Sequence, residues 1–178
     1  MNTSTGSSMS EDIEALFGSN DDQLTSPDII TYKIGHDITF VSLAIDIYGA
    51  ERIPAKDNII IVPGSKYWLE GCCKIGDTLA PIINLAKLAG LKPRSFPKPE
   101  EMLLVISPLT KEPVALAVSE IMGLKGSNEI SPSNVTMNLP SLFRKYTVLE
   151  CSCDGKTVAL MDIKALLSGI EVNDIHLS

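Results

Sequence analysis

The sequence predicts a mainly β fold, built as two packed small barrels with a few short helices. From Ile29 onward, short runs rich in β-branched and other apolar residues alternate with turn residues, the pattern of consecutive strands. The runs form two groups of similar length on either side of a Pro-rich segment at residues 93–99. Eight to ten short strands with few helices favour small barrels or a sandwich, and two similar halves favour two linked barrels.

Composition narrows the functional classes. The 178 residues, 44% hydrophobic and 21% charged, suit one globular domain or two closely packed small ones. A net charge of −7 would repel a phosphate backbone, so we expect no nucleic-acid partner. No apolar run reaches the roughly 20 residues that span a bilayer, and the N-terminus lacks the pattern of a secretory signal. We therefore expect a cytoplasmic protein without direct membrane insertion.

Both ends of the chain read as tails. Residues 1–28 are rich in Ser, Asn, Asp and Thr and are predicted to be disordered, and residues 170–178 form a second tail. Within the first tail, residues 11–17 predict a short amphipathic helix, because Ile13, Leu16 and Phe17 recur at helical spacing. Two helical turns are too few to be stable alone in water. The segment is therefore either a helix that folds on docking to a partner or a tail helix without a ligand.

The first group of runs predicts five strands and one helical turn. A hairpin turn at residues 35–37 joins the first two strands, and Gly76-Asp77 joins the last two. A β-branched run at residues 59–62 stops at Pro63-Gly64, and a helical turn at residues 85–90 ends at Gly90. The predicted strands cover residues 30–34, 38–43, 59–62, 71–75 and 78–83.

The second group repeats this style. Asp154-Gly155 is a strong tight-turn signal between its last two strands. Short helical turns are expected at residues 140–145 and 163–167, the second ended near Gly169. The predicted strands cover residues 102–107, 114–118, 147–151 and 158–161.

The four cysteines favour core packing over chemistry. Cys72 and Cys73 are neighbours on a predicted strand, so their side chains point to opposite faces. Cys151 and Cys153 would share a face, but two thiolates make only half of a tetrahedral zinc site. Buried free thiols are the usual state in a reducing compartment. A thiol or metal-binding β-domain that uses these four residues is the alternative hypothesis, and we expect no metal.

Enzymatic motifs are missing from the sequence. It contains no Gly-x-Ser-x-Gly elbow, no Gly-x-Gly-x-x-Gly loop and no paired metal-ligand motif. His36-Asp37 is the one His–acid neighbour pair, and a hairpin turn explains it better than a catalytic role. We therefore predict a protein that is not an enzyme, with neither catalytic residues nor a cofactor.

Three motifs in order resemble the CheW-like adaptor family. Gly71, followed by Pro81 ten residues later and by Asn84-Leu85, is similar to the family's central strand–turn–strand. Residues 114–121 resemble the family's Val-Gly-apolar-apolar-Val-Asp strand, and residues 161–167 resemble its closing Leu-Asp-x-x-x-Leu-Leu. The resemblance covers roughly residues 30–168, and Trp68-Leu69 is similar to relatives that serve type IV pilus motility.

The resemblance implies both a fold and a function. The fold would be two packed five-stranded SH3-like barrels with a groove between them, in a domain of residues 29–169. The first barrel would cover about 38–90 and the second about 100–160, with the terminal segments completing them. Such a protein is a non-catalytic adaptor that couples the cytoplasmic tip of a methyl-accepting chemoreceptor to a CheA-type histidine kinase. Here it would act in a taxis, gliding or type IV pilus motility pathway.

The tail carries a separate resemblance. Residues 11–18, Glu-Asp-Ile-Glu-Ala-Leu-Phe-Gly, are similar to the short motif with which flagellar switch proteins bind a phosphorylated response regulator. The resemblance implies a response regulator as a further partner, contacted through Ile13, Leu16 and Phe17.

The central turn departs from the family. Relatives read Asn-Leu-Arg-Gly where this chain reads Lys74-Ile75-Gly76-Asp77, so a cation able to grip a carboxylate bidentately is absent. The family's acidic residue corresponds to about Glu51, which would then meet Lys74, Arg52 or water; the other interpretation is that Gly76-Asp77 simply makes a better turn. Trp68 is expected in the core. The predicted partner-binding residues are Ile45, Ile47, Tyr48, Glu51, Arg52, Lys74, Gly76 and Asp77.

Overall fold

A computed structural model describes residues 28–35, 37–54, 56–91 and 101–170. Within these ranges the chain forms short strands and a few short helices. The strands are β1 (Asp28–Ile34), β2 (Ile38–Leu43), β3 (Ile47–Arg52), β4 (Leu69–Ile75), β5 (Thr78–Asn84), β6 (Glu101–Ile106), β7 (Pro113–Val118), β8 (Glu120–Gly126), β9 (Ile130–Pro132), β10 (Thr147–Cys153) and β11 (Lys156–Met161). The helices are α1 (Leu85–Leu88), α2 (Ser141–Tyr146) and α3 (Ile163–Gly169), and 3-10 turns occur at Ala44–Asp46, Lys56–Asn58 and Ser127–Glu129.

The strands form two mixed sheets, which confirms the predicted mainly β fold. The six-stranded sheet has the order β8-β1-β2-β11-β10-β9, and the five-stranded sheet has the order β3-β6-β7-β5-β4. Neighbours are antiparallel except for β2 with β11 and β5 with β7, which are parallel. We call the two units barrel A and barrel B, because each sheet is closed by the segment described next.

A single stretch of chain pairs at both edges of each sheet. In barrel A, β8 pairs with β1, and the chain then turns at Ser127–Glu129 so that β9 pairs with β10 at the opposite edge. In barrel B, β3 pairs with β6, and Ile60 further along the chain exchanges two backbone hydrogen bonds, of 2.8 and 2.9 Å, with Cys72 of β4. Both sheets therefore curl around an interior of their own.

The strands of the two sequence halves are interleaved, which corrects the predicted assignment of strands to barrels. β1 and β2 belong to barrel A although they precede β3–β5, and β6 and β7 belong to barrel B although they precede β8–β11. Each half therefore contributes its first hairpin to the sheet of the other half, and neither barrel matches the consecutive spans of about 38–90 and 100–160. Turn residues indicate where strands end, but they carry no information about which strands pair.

Three apolar clusters account for the packing. One lies inside barrel A, one lies inside barrel B, and the largest lies between the two sheets and under the helices. The central cluster includes Trp68, 8% exposed, which confirms its expected place in the core. In the same region the Tyr32 and Ser42 hydroxyls are hydrogen-bonded at 2.8 Å, and Ser42 donates to the Met161 carbonyl at 3.0 Å. The buried polar groups of this network are thereby satisfied.

In each sheet, one hairpin leads directly into a helix that begins with a side-chain cap. Asn84 follows β5, and its side chain accepts a hydrogen bond from the Lys87 N–H at 3.1 Å at the start of α1. Asp162 follows β11 and caps α3 in the same way, through the Ala165 N–H at 2.9 Å. Asn84 further donates to Glu70 at 2.9 Å, and Glu70 forms an ion pair with Lys87. Side-chain caps of this type stabilise a helix by about 1 kcal/mol.

Gly71 makes the closure of barrel B possible. Its φ of +137° lies in a region that L side chains rarely adopt, and an added Cβ would lie 2.5 Å from the Ile60 carbonyl oxygen and 2.8 Å from Ile59 Cγ2. The predicted strand at residues 59–62 is wrong, since only Ile60 pairs, through one isolated bridge to Cys72. The β-branched run at residues 59–62 therefore forms no strand and closes barrel B through the bridge at Ile60.

We predict that Gly71→Ala destabilises the fold by more than about 2 kcal/mol, because the methyl group collides with backbone as well as straining φ. Gly76→Ala is the matched control: its φ is +58°, but nothing lies within 4 Å of an added Cβ. Gly76→Ala should lower the free energy of unfolding by only about 1 kcal/mol, because its one penalty is an alanine in the left-handed conformation. Urea denaturation of both variants measures the difference, and equal losses would contradict the proposed role of the Ile60 contact.

We also predict that the chain works as two complementary fragments when it is cut between Phe96 and Pro97. Alone, the first half keeps only the hairpins β1–β2 and β4–β5, because β3 pairs with β6, and β1 and β5 lose the partners β8 and β7. Isolated hairpins are at best marginally stable in water. Co-expressed fragments should copurify and show one cooperative unfolding transition. A cooperative transition in either fragment alone would refute the interleaved assignment.

Candidate interaction site

The first group of predicted binding residues lies on β3 and on the 3-10 turn before it. Ile45 is 85% exposed and Tyr48 is 69% exposed, because β3 is the last strand in the hydrogen-bonded order of its sheet. Ile47 is half-buried, and its side chain packs against the central cluster. An ion pair of 3.3 Å between Asp46 and Lys164 of α3 holds the turn against barrel A. Ile45 and Tyr48 therefore project into solvent beside a turn that the ion pair links to α3.

Glu51 and Arg52 lie at the end of β3, and both are exposed. Burial, the neighbouring Cys72 and then Glu51 raise the pKa of the Cys73 thiol. The carboxylate of Glu51 thus acts on β4, although β3 and β4 are at opposite ends of the strand order. The curvature of barrel B explains this proximity. We call Ile45, Tyr48, Glu51 and Arg52 the β3 surface.

The second group lies at the turn between β4 and β5. Lys74, Gly76 and Asp77 are exposed, and the φ of +58° at Gly76 is the reason that glycine suits this turn. Within the described parts of the chain, Glu51 forms an ion pair with neither Lys74 nor Arg52. A side chain at position 76 would extend into open space. The turn could therefore hold a longer residue sterically, at the cost of backbone strain.

The two groups share one barrel and offer no reactive chemistry. Across the described ranges, no three His, Cys, Asp or Glu residues come together in a way that could hold a metal ion. An exposed aromatic and an aliphatic residue beside charged side chains are typical of a protein–protein interface with an apolar centre and a polar rim. The arrangement suits reversible binding to another protein.

Sequence reasoning did not single out every exposed apolar residue. Leu124 on β8 is 66% exposed, Ile61 is 64% exposed and Val135 is 61% exposed. No clear pattern marks Leu124 in the sequence, because the adjacent apolar residues Ile121 and Met122 interrupt the alternation in residues 120–126. Tyr67 is also exposed, and its hydroxyl donates to the Lys87 carbonyl. The predicted docking residues Ile13, Leu16 and Phe17 lie outside the described residues.

The four cysteines are free and buried. Cys73 packs inside barrel B, while Cys151 and Cys153 pack together inside barrel A, as their spacing predicts. Burial raises the pKa of all four thiols, and that of Cys151 rises from 9.0 to about 12. Because thiolates are the metal ligands and nucleophiles, protonated core thiols do not favour the thiol or metal-binding alternative.

In the ranges that the structure describes, no helix is long and apolar enough to cross a membrane.

Three comparisons with known proteins agree with one another. A family model described as "CheW-like domain" matches residues 28–171. The chain is 23% identical over 155 residues to the Chemotaxis protein CheW of Thermotoga maritima, covering 86% of this chain and 95% of that protein. It is also similar to the crystal structure of the scaffolding protein TtCheW from Thermoanaerobacter tengcongensis, with a TM-score of 0.62, 18% identity, and coverage of 85% of this chain and 96% of that one.

The raised thiol pKa values predict that stability falls in alkali. Unfolded thiols lose their protons near pH 9.0, whereas folded Cys151 keeps its proton until about pH 12. The stabilisation is therefore complete below pH 9.0 and is lost as pH rises toward 12. The urea midpoint should fall as pH rises from 9.0 toward 12. Cys151→Ala should lower stability at neutral pH and should make the midpoint depend less steeply on pH. An unchanged slope in the variant would contradict the assignment to Cys151.

Proposed function

Because the chain belongs to the CheW-like domain family, we propose that it is a non-catalytic adaptor that couples a chemoreceptor-type sensor to a CheA-type histidine kinase. The observation that carries the proposal is the match of the family model to residues 28–171, a span that includes every described residue. The relative from Thermotoga maritima is named a chemotaxis protein, and the structural neighbour is named a scaffolding protein. An adaptor needs surfaces and geometry rather than reactive groups.

The β3 surface is the proposed contact with the kinase. Tyr48 and Ile45 supply exposed apolar area, and Glu51 and Arg52 supply charges at its border. Interfaces of this composition bind through a few aromatic and apolar residues, while the charged rim sets orientation and association rate. The ion pair between Asp46 and Lys164 supports this role, because it connects the displayed turn to the helix of the other barrel.

Lys74, Gly76 and Asp77 are proposed as the part of the surface that sets partner choice. The resemblance to the family implies a guanidinium where this chain has Gly76, so a partner of this chain would meet backbone and open space instead. A cognate kinase would then contact this turn without an ion pair to position 76. This divergence supports a pilus-based or gliding motility pathway over flagellar swimming. A response regulator that binds Ile13, Leu16 and Phe17 is a further proposed partner.

Binding to the regulatory domain of the cognate kinase tests the proposal. The double variant Ile45→Ser with Tyr48→Ser should weaken the Kd at least about tenfold, since truncating an exposed aromatic anchor typically costs more than 1 kcal/mol. Isothermal titration or surface plasmon resonance measures this change. Both side chains are largely exposed, so the variant should unfold at the same urea concentration as the wild type.

Val135→Ser is the control, because Val135 is 61% exposed, close to the 69% of Tyr48, but lies after β9 in barrel A. Its Kd should equal that of the wild type. Equal weakening by the control and the double variant would reject the β3 surface as the contact. Failure of the wild-type chain to bind the kinase at roughly tens of micromolar would reject the adaptor function itself.

A further inference from the structure

The outer edge of β3 has no strand partner within the described chain. β3 is the last strand in the hydrogen-bonded order of its sheet, and its inner edge pairs with β6. From Tyr48 to Arg52, no described residue outside β6 forms a backbone hydrogen bond with this strand. Unpaired N–H and C=O groups along an exposed strand are a template for pairing with another extended chain. The edge of β3 is therefore a candidate interface in its own right.

The available part of this edge is short and regular. The register shift against β6 lies between Ile47 and Gly49, so the pairing from Gly49 to Arg52 runs without interruption. Pro54, which has no backbone N–H, follows Arg52 by two residues and ends the edge. A partner strand would therefore meet residues 48–52. The exposed residues of this stretch are Tyr48, Ala50, Glu51 and Arg52.

The sequence of the edge is complementary to itself. Two antiparallel copies with a two-fold axis at Ala50 place Tyr48 of each copy opposite Arg52 of the other, and Gly49 opposite Glu51. No like charges then face each other. An axis at Glu51 would oppose two carboxylates, and an axis at Arg52 would oppose two guanidinium groups. An axis at Gly49 would set Arg52 beyond the start of the other β3. Charge and length together select the axis at Ala50.

The pair of Tyr48 and Arg52 supplies the side-chain attraction. Arg52 lies opposite Glu101 of β6 in the register of the sheet, and the Tyr48 ring of the second copy would lie on its other side. A planar guanidinium can pair with a carboxylate and stack on an aromatic ring at the same time. The two-fold axis produces this row of Glu101, Arg52 and Tyr48 twice. An aromatic at one end of the edge and a cation at the other therefore favour a second copy of this chain as the occupant.

We propose that two copies of this chain pair reversibly through their β3 edges, with the two-fold axis at Ala50. A contact between two short edges lies at the low end of interface sizes, so the dimer forms at roughly tens to hundreds of micromolar. The dimer covers Tyr48 and Arg52 and therefore excludes the kinase contact on the β3 surface. This exclusion rests on the proposed function, whereas the dimer itself does not. The kinase then draws its adaptor from a dimeric reserve.

Sedimentation equilibrium of the full chain tests the pairing without a kinase. The average mass should move from monomer toward dimer as the concentration rises through this range. Tyr48→Ser should raise the dissociation constant about tenfold, because it removes the ring from both pairs with Arg52. Tyr48→Phe should leave the constant within about twofold, since the ring face makes the contact. A wild-type chain that stays monomeric at about 1 mM would overturn the proposal.

Disulfide trapping tests the register. Ala50→Cys places two thiols at the axis, where opposed residues have Cα atoms about 4.5–5.5 Å apart, a separation that a disulfide spans. The native thiols are buried, so the new one is the thiol that oxidised glutathione reaches. The variant should form a covalent dimer. Val135→Cys, at a side chain that is 61% exposed on barrel A, should give at least about tenfold less. Equal yields would indicate random collision and reject the edge contact.

Binding to the kinase regulatory domain separates this inference from the adaptor function. The oxidised Ala50→Cys dimer should bind the domain at least about tenfold more weakly than the reduced chain, and reduction should restore the affinity. Full-strength binding by the trapped dimer would reject the exclusion of the kinase. A wild-type chain that dimerises but binds no kinase would reject the adaptor function alone. A chain that binds the kinase and never dimerises would reject the dimer alone.

Discussion

The backbone bridge between Ile60 and Cys72 is the constraint on which barrel B depends. It joins the segment that follows β3 to β4, and so brings the two ends of the strand order together. The bridge requires the Ile60 carbonyl to approach the chain at Gly71 more closely than any side chain would allow. Once the sheet is closed, Cys73, Met102 and Leu104 have an interior to fill, and β3 is held where Ile45 and Tyr48 face outward.

The exchange of hairpins makes the two halves of the chain inseparable. β1 and β2 pair with strands of the second half, and β6 and β7 pair with strands of the first half. The central cluster then packs side chains of both sheets around Tyr32, Phe40 and Phe143. A scaffold that must transmit geometry between partners benefits from this construction, because the two halves of the chain cannot separate without breaking sheet hydrogen bonds in both barrels.

β3 and β8, the strands that come just before the closing contact of each barrel, also carry exposed apolar residues. β3 and β8 each contain a register shift, between Ile47 and Gly49 in one case and opposite Thr31 and Tyr32 in the other. Bulges increase twist and turn side chains away from the regular alternation. The result is a pair of edge strands with exposed apolar residues, Tyr48 on one and Leu124 on the other. Exposed apolar residues and register shifts thus occur on the same two strands.

The sequence by itself determined the local structure: most strand positions, the helical turns near residues 85, 140 and 163, the tight turns at Gly76 and Asp154-Gly155, and the burial of Trp68 and of the thiols. These features depend on turn chemistry and apolar periodicity, which act over a few residues. It missed β3 and β8, because their bulges and half-exposed pattern hide the alternation of a strand, and it missed β9, which is only three residues long. Only the tertiary structure decided which hairpins pair, that residues 59–62 contribute one bridge instead of a strand, and which apolar residues remain exposed. Those outcomes depend on hydrogen bonds and packing between residues far apart in the chain, and no local pattern encodes them.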